Sequence, residues 1–130
     1  MGRLVARSLR ARVPADVRIV EQDGEATGLL AEFRPGQRAW LIDAAQSGAP
    51  LGTIHRIDCS AADLALPPGS ISSHGFGVEE AIALARALGV LPTQCIVYAV
   101  ETADFAVGAA PSAEVTEAIA KVAARILAEL

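Results

Sequence analysis

Large aromatic side chains are scarce in this sequence: three Phe, one Trp and one Tyr, 4% of 130 residues. Its core therefore has to be assembled from Ala, Val, Leu and Ile, a composition that suits a parallel sheet covered by helices. There is no excess of basic charge either. Eleven Lys and Arg face fifteen Asp and Glu, a formal net charge of −4, so the electrostatic footprint of a nucleic-acid binder is missing. No apolar run approaches the ~20 residues that cross a bilayer, and the opening MGRLVARSLR lacks a secretory apolar region. The two cysteines, Cys59 and Cys95, lie in separate apolar strand-like segments with no Cys-x-x-Cys spacing and read as reduced, buried thiols of a cytoplasmic protein. Gly-x-Ser-x-Gly and His-Glu-x-x-His are both absent, which disfavours serine-hydrolase and zincin mechanisms. Without repeat, low-complexity tract or linker, residues 1–130 form a single domain, expected as a monomer.

What is present is an alternation of helical and strand patterns. Gly2 to Arg12 reads as a helix with Leu4, Val5 and Leu9 inward, and Val17 to Glu21 alternates as a strand. A polar loop, Asp23 to Gly28, leads into a helix over Thr27 to Phe33, and Arg34-Pro35-Gly36-Gln37 is a turn. Ala39 to Ile42 is a short apolar strand that ends at Asp43. Gly52 to Cys59 is another strand, antiparallel to the preceding one because the connection is short. Ser60 to Ser70, with Pro67-Pro68-Gly69, is a long loop of the lid or recognition kind. A helix runs from about Val78 to Leu88, stopped by Gly89 and Pro92, and Gln94 to Val100 is a buried strand ending in Glu101. Ser112 caps a last helix whose inner stripe is Val115, Ile119, Val122, Ile126 and Leu130. The order predicts an α/β three-layer sandwich with a mostly parallel sheet and one antiparallel strand. It opens on a helix where a βαβ chain would feed that helix from a strand.

Two residues carry the chemistry. Asp43 ends a buried strand, where open α/β sheets place their ligand crevice, although a turn-capping aspartate occupies the same position. His74, in Ser72-Ser73-His74-Gly75-Phe76-Gly77, precedes a helix N-terminus whose dipole disfavours imidazolium and keeps a lone pair available. A histidine there can bind a metal, accept a proton, or merely hydrogen-bond backbone. An oxygen and a nitrogen donor suit nickel or zinc, and a third ligand is normally needed; Glu101 or Asp23 swinging in are candidates. His55 shares a pleat face with Ile57, opposite Ile54, Arg56 and Asp58, and reads as a surface or half-buried strand residue.

These residues resemble the hydrogenase maturation proteases over nearly the whole chain. The resemblance rests on Gly2-Arg3-Leu4-Val5-Ala6, Asp23-Gly24-Glu25-Ala26-Thr27-Gly28-Leu29-Leu30, and Ile42-Asp43-Ala44 with Ser47-Gly48-Ala49-Pro50 and Gly52-Thr53. It continues through Ser73-His74 with Gly77-Val78, Glu80 to Ala85, Leu88 to Pro92, Glu101, and Ser112-Ala113-Glu114-Val115. The resemblance implies an endopeptidase that removes the C-terminal extension of the large-subunit precursor of a nickel–iron hydrogenase. Asp43 and His74 would contact the nickel that the precursor carries, a zinc or cadmium-like ion standing in for it in crystals. The mechanism would be of aspartic or metallo type, with no nucleic-acid or membrane partner. The family's third metal-site residue, an acid in a loop after a central first strand, is not in this sequence. That strand and acid are expected upstream of residue 1, with Met1 an internal valine codon read as an initiator. Two other readings stay open: a non-catalytic module that docks the precursor, and a small-molecule hydrolase on a similar sandwich.

Overall fold

The computed structural model describes residues 6, 9–10, 12–20, 26–45, 47–59, 78–102 and 112–130. Its elements are α1 (Ala26–Glu32), β1 (Arg38–Ala45), β2 (Ile54–Asp58), α2 (Val78–Leu88), β3 (Gln94–Glu101) and α3 (Ala113–Glu129). Ahead of them, Ala6 and Leu9 are helical and buried, in line with a helix near the start of the chain.

The sheet runs in the order β1-β3-β2. β1 pairs with β3 in parallel and β2 pairs with β3 antiparallel. β2 thus has the expected direction, but β3 lies between it and β1, so the connection after β1 crosses the end of the central strand. Every side chain from Cys95 to Glu101 is buried, as a middle strand covered on both faces requires. On one face Ile96, Tyr98 and Val100 pack against the α3 stripe of Val115, Ala118, Ile119, Val122, Ala123 and Ile126, and Leu9 joins them. On the other, Cys95 and Val97 meet Val78 and Ile82 of α2, with Leu41 and Ile57 from the outer strands. Phe33, Ala81 and Ala85 close the contact between the end of α1 and α2. Helices lie on both faces, which is the three-layer α/β arrangement.

The helix ends follow local chemistry. Ser112 is extended (φ −64°, ψ 167°) and its Oγ accepts from Val115 N–H at 3.3 Å, satisfying a donor the helix cannot. Gly89 turns left-handed (φ 72°), with Val90 N–H bonded to Ala85 O at 2.9 Å and Gly89 N–H to Arg86 O at 3.2 Å. That pair of bonds satisfies the last carbonyls of α2 and stops it at Leu88.

Two expectations are corrected. Residues 17–20 carry no strand; the alternation of Val17 to Val20 is genuine, but a strand needs a ladder, and the described sheet offers this segment none. It is held by side chains instead, Ile19 packing on the α3 cluster and Arg18 pairing with Glu32. Asp43 does not end its strand either, since pairing continues through Ala45 opposite Glu101. The small, buried Ala44 and Ala45 let the ladder run on.

Candidate active site

The parallel strands β1 and β3 end together, and β2 begins at the same edge, where Ile54 pairs with Val100. Asp43 is half-buried near this edge, and its Oδ1 accepts from Ala44 N–H at 2.8 Å. In register, Asp43 stands opposite Ala99, and His55 stands opposite the same Ala99 from the other side. Residues directly opposite one another share a face of the sheet, so Asp43, Ala99 and His55 form one row across it. Two strand spacings of about 4.8 Å put the outer two backbones roughly 10 Å apart, with only a methyl group between them. This is the α2 face, because the neighbouring row Leu41–Val97–Ile57 packs against Val78 and Ile82.

Beside this row stands Glu101, which is 2% exposed. Its Oε1 is 2.9 Å from His55 Nε2, Ser47 N–H reaches both carboxylate oxygens at 3.2 Å, and the Ser47 hydroxyl donates to Oε1. Burial pushes the Glu101 pKa up, but the hydrogen bonds from Ser47 and His55 outweigh it and leave the carboxyl below its ordinary value. The backbone of Glu101 holds the far end of the same loop, Gly52 N–H donating to its carbonyl at 3.0 Å and its own N–H donating to Thr53 O at 2.9 Å. One residue thus pins both ends of the β1–β2 loop. Glu101 is consequently not a carboxylate waiting to swing toward a metal.

His74 and the rest of the Ser72–Gly77 stretch lie outside the described residues, as does Asp23. α2 starts at Val78, four residues beyond His74, and Val78 is buried on the face that Asp43 shares. Among the described residues no three His, Cys, Asp or Glu side chains stand close enough to hold a metal ion together. The two thiols are free and buried, and the structure adds that they are neighbours, Cys59 N–H donating to Cys95 O at 2.7 Å. Burial pushes Cys59 up to about 11 and Cys95 to about 12, so neither is a nucleophile near neutral pH. The link from His55 to Glu101 was not foreseeable from spacing. Glu101 stood out as an acid at a strand end, and His55 as a half-buried strand residue, but only the β1-β3-β2 order makes them cross-strand neighbours.

The family model described as hydrogenase maturation protease (HycI) matches residues 4–129. The chain belongs to this family. Among solved structures, the hydrogenase maturating endopeptidase HybD from E. coli is similar at a TM-score of 0.70 and 18% identity, over 97% of this chain and 79% of that one. The solution structure of an endopeptidase from Escherichia coli is similar at 0.71 and 17%, over 95% and 78%. At such identities these likenesses establish the maturation-protease fold. No curated protein sequence matches significantly. For the family fold seen here, no helix among the described residues is long and apolar enough to cross a membrane.

Proposed function

We propose that this chain is the endopeptidase that trims the C-terminal extension from the nickel-loaded large-subunit precursor of a nickel–iron hydrogenase. The observation that carries the reading is the position of Asp43, in a chain of this family. It is a half-buried carboxylate near the ends of the parallel strands, on the sheet face covered by the helix that follows His74. Asp43 and His74 would recognise the nickel delivered with the substrate, an oxygen and a nitrogen donor matching an ion of intermediate softness. Open α/β sheets hold their ligands in a crevice outside the strand ends, and there the precursor's extension would meet Asp43. The mechanism would be of aspartic or metallo type, and hydrolysis further needs a group to move a proton between water and the departing amide nitrogen. The chain would act as a monomer in the cytoplasm on a folded protein partner.

The test is to incubate nickel-loaded precursor with the chain and follow loss of the extension by mass spectrometry. A shortened large subunit and a released peptide are expected, and nickel-free precursor should stay intact. A stable complex without cleavage would establish the docking-module reading instead, and neither binding nor cleavage would remove both.

A further inference from the structure

The imidazole of His55 is held through Nε2 by a carboxylate with almost no exposure, and the ring is itself only partly covered, 31% of its side chain being accessible. Its other nitrogen, Nδ1, has no hydrogen-bond partner among the described residues. Taking a carboxylate out of water is costly unless its hydrogen bonds are made good. Here three donors make them good, and one of them is this ring. A buried acid that fixes one nitrogen of a half-exposed imidazole defines the ring's orientation and leaves the second nitrogen to work. On the same face, one small residue away, stands Asp43.

We propose that His55 is the proton carrier of the Asp43 site and that Glu101 is its positioning residue. The inference rests on the protease reading above and names a group which that reading leaves unassigned. In the step, a water oxygen bonds to the scissile carbonyl carbon while its proton passes to His55 Nδ1. As the carbon–nitrogen bond breaks, the imidazolium returns that proton to the departing amide nitrogen, leaving a new carboxylic acid and a new amine. The acid then gives its proton, the second from the water, to the amine, so the products are a carboxylate and an ammonium. Glu101 stays ionised and steadies the imidazolium through Nε2–H, and Ser47 steadies Glu101. No oxidant, reductant or second reactant besides water enters the balance.

The experiment uses the full chain and nickel-loaded precursor, with wild type, His55→Ala, His55→Gln and Glu101→Gln compared for kcat, KM and thermal unfolding. Both His55 variants are expected to lose about 100- to 1,000-fold in kcat, the usual worth of a positioned acid–base group, with KM changed less than threefold and melting preserved. Added imidazole should restore His55→Ala at least tenfold, which no purely structural defect would allow. Glu101→Gln keeps the shape of the staple but removes its charge, and should lower kcat about tenfold at unchanged KM. Cleavage by His55→Gln at the wild-type rate overturns the proposal while leaving the protease reading intact. So does a loss that tracks unfolding in both variants and resists imidazole. If wild type fails to cleave the precursor, the protease reading falls first and this proposal falls with it.

Discussion

Gly52 offers a controlled measurement of how tightly the β1–β2 loop is seated. Its φ of +83° is matched by Gly36 at +83°, so replacing either by Ala imposes a similar backbone penalty, on the order of 1–2 kcal/mol for an L-residue held left-handed. The surroundings differ. A Cβ on Gly36 meets nothing within 4 Å, whereas one on Gly52 lies 2.6 Å from the Glu114 carbonyl oxygen and 3.0 Å from its carbon. That obstacle is backbone in the first turn of α3 and cannot rotate away. Relief requires the loop or the helix to move, which in packed interiors costs about 1–3 kcal/mol. Gly36→Ala should therefore destabilise by about 1–2 kcal/mol and Gly52→Ala by about 2–5 kcal/mol. The difference between the two isolates the contact. Urea unfolding followed by far-UV circular dichroism reads both, as a drop in midpoint at constant slope. Equal losses would refute the reasoning, because they would mean that Glu114 yields without cost and that the loop rests loosely on α3.

Asp43→Asn is expected to abolish precursor processing with the far-UV spectrum and melting unchanged, and His74→Ala to do the same; loss of fold in both would assign them structural roles. Cys59 and Cys95 should react with a thiol-specific disulfide reagent at pH 8 only as fast as the protein opens, and promptly in denaturant. Fast labelling of the native chain would contradict their burial. Glu129 accepts from Tyr98 Oη at 2.6 Å, Trp40 Nε1 at 3.3 Å and Arg56 Nε at 2.8 Å, so Glu129→Ala should cost about 1–3 kcal/mol and shift the emission of the single tryptophan. Burial alone would raise both Glu101 and Glu129, but their hydrogen bonds, from Ser47 and His55 and from Tyr98 and Arg56, hold them below the ordinary carboxylate value. Their stabilisation is therefore complete above the unfolded value of ~4.3 and disappears as pH falls through the folded ones. Acid titration of melting temperature should steepen below about pH 4.5, and Glu129→Gln should flatten it.

The elements with strong local signals were legible in the sequence. The Ser112 cap, the α3 stripe and the Gly89 stop depend on neighbours within one or two turns, so spacing alone reveals them. Ile54 and Ile57 fall on opposite faces as the pleat requires. What needed tertiary information was missed. Val17 to Val20 alternates as a strand does, yet a ladder depends on a partner that no local pattern supplies. Asp43 looked like a strand terminus because its charge interrupts an apolar run, but the two small alanines behind it continue the pairing. Asp43 drew attention from its place in an apolar strand and from the family resemblance, and the structure sets it half-buried near the ends of the parallel strands. The Ser47–Glu101–His55 group was not, because it exists only once β3 separates β1 from β2. The same holds for the two thiols, whose adjacency is a matter of register.

The strand order also constrains when this sheet can come into being. β1 and β2 are made first, yet each pairs with β3 and with no other described strand. While the chain is emerging from a ribosome, both have their hydrophobic faces and open backbone edges exposed until residues 94–101 arrive between them. Nothing in the described ladder can be assembled piecemeal from the front, so the sheet closes late and in one event. Ribosome-bound chains stopped before residue 94 should therefore be protease-sensitive throughout β1 and β2, and those extended past the folded α3 should resist.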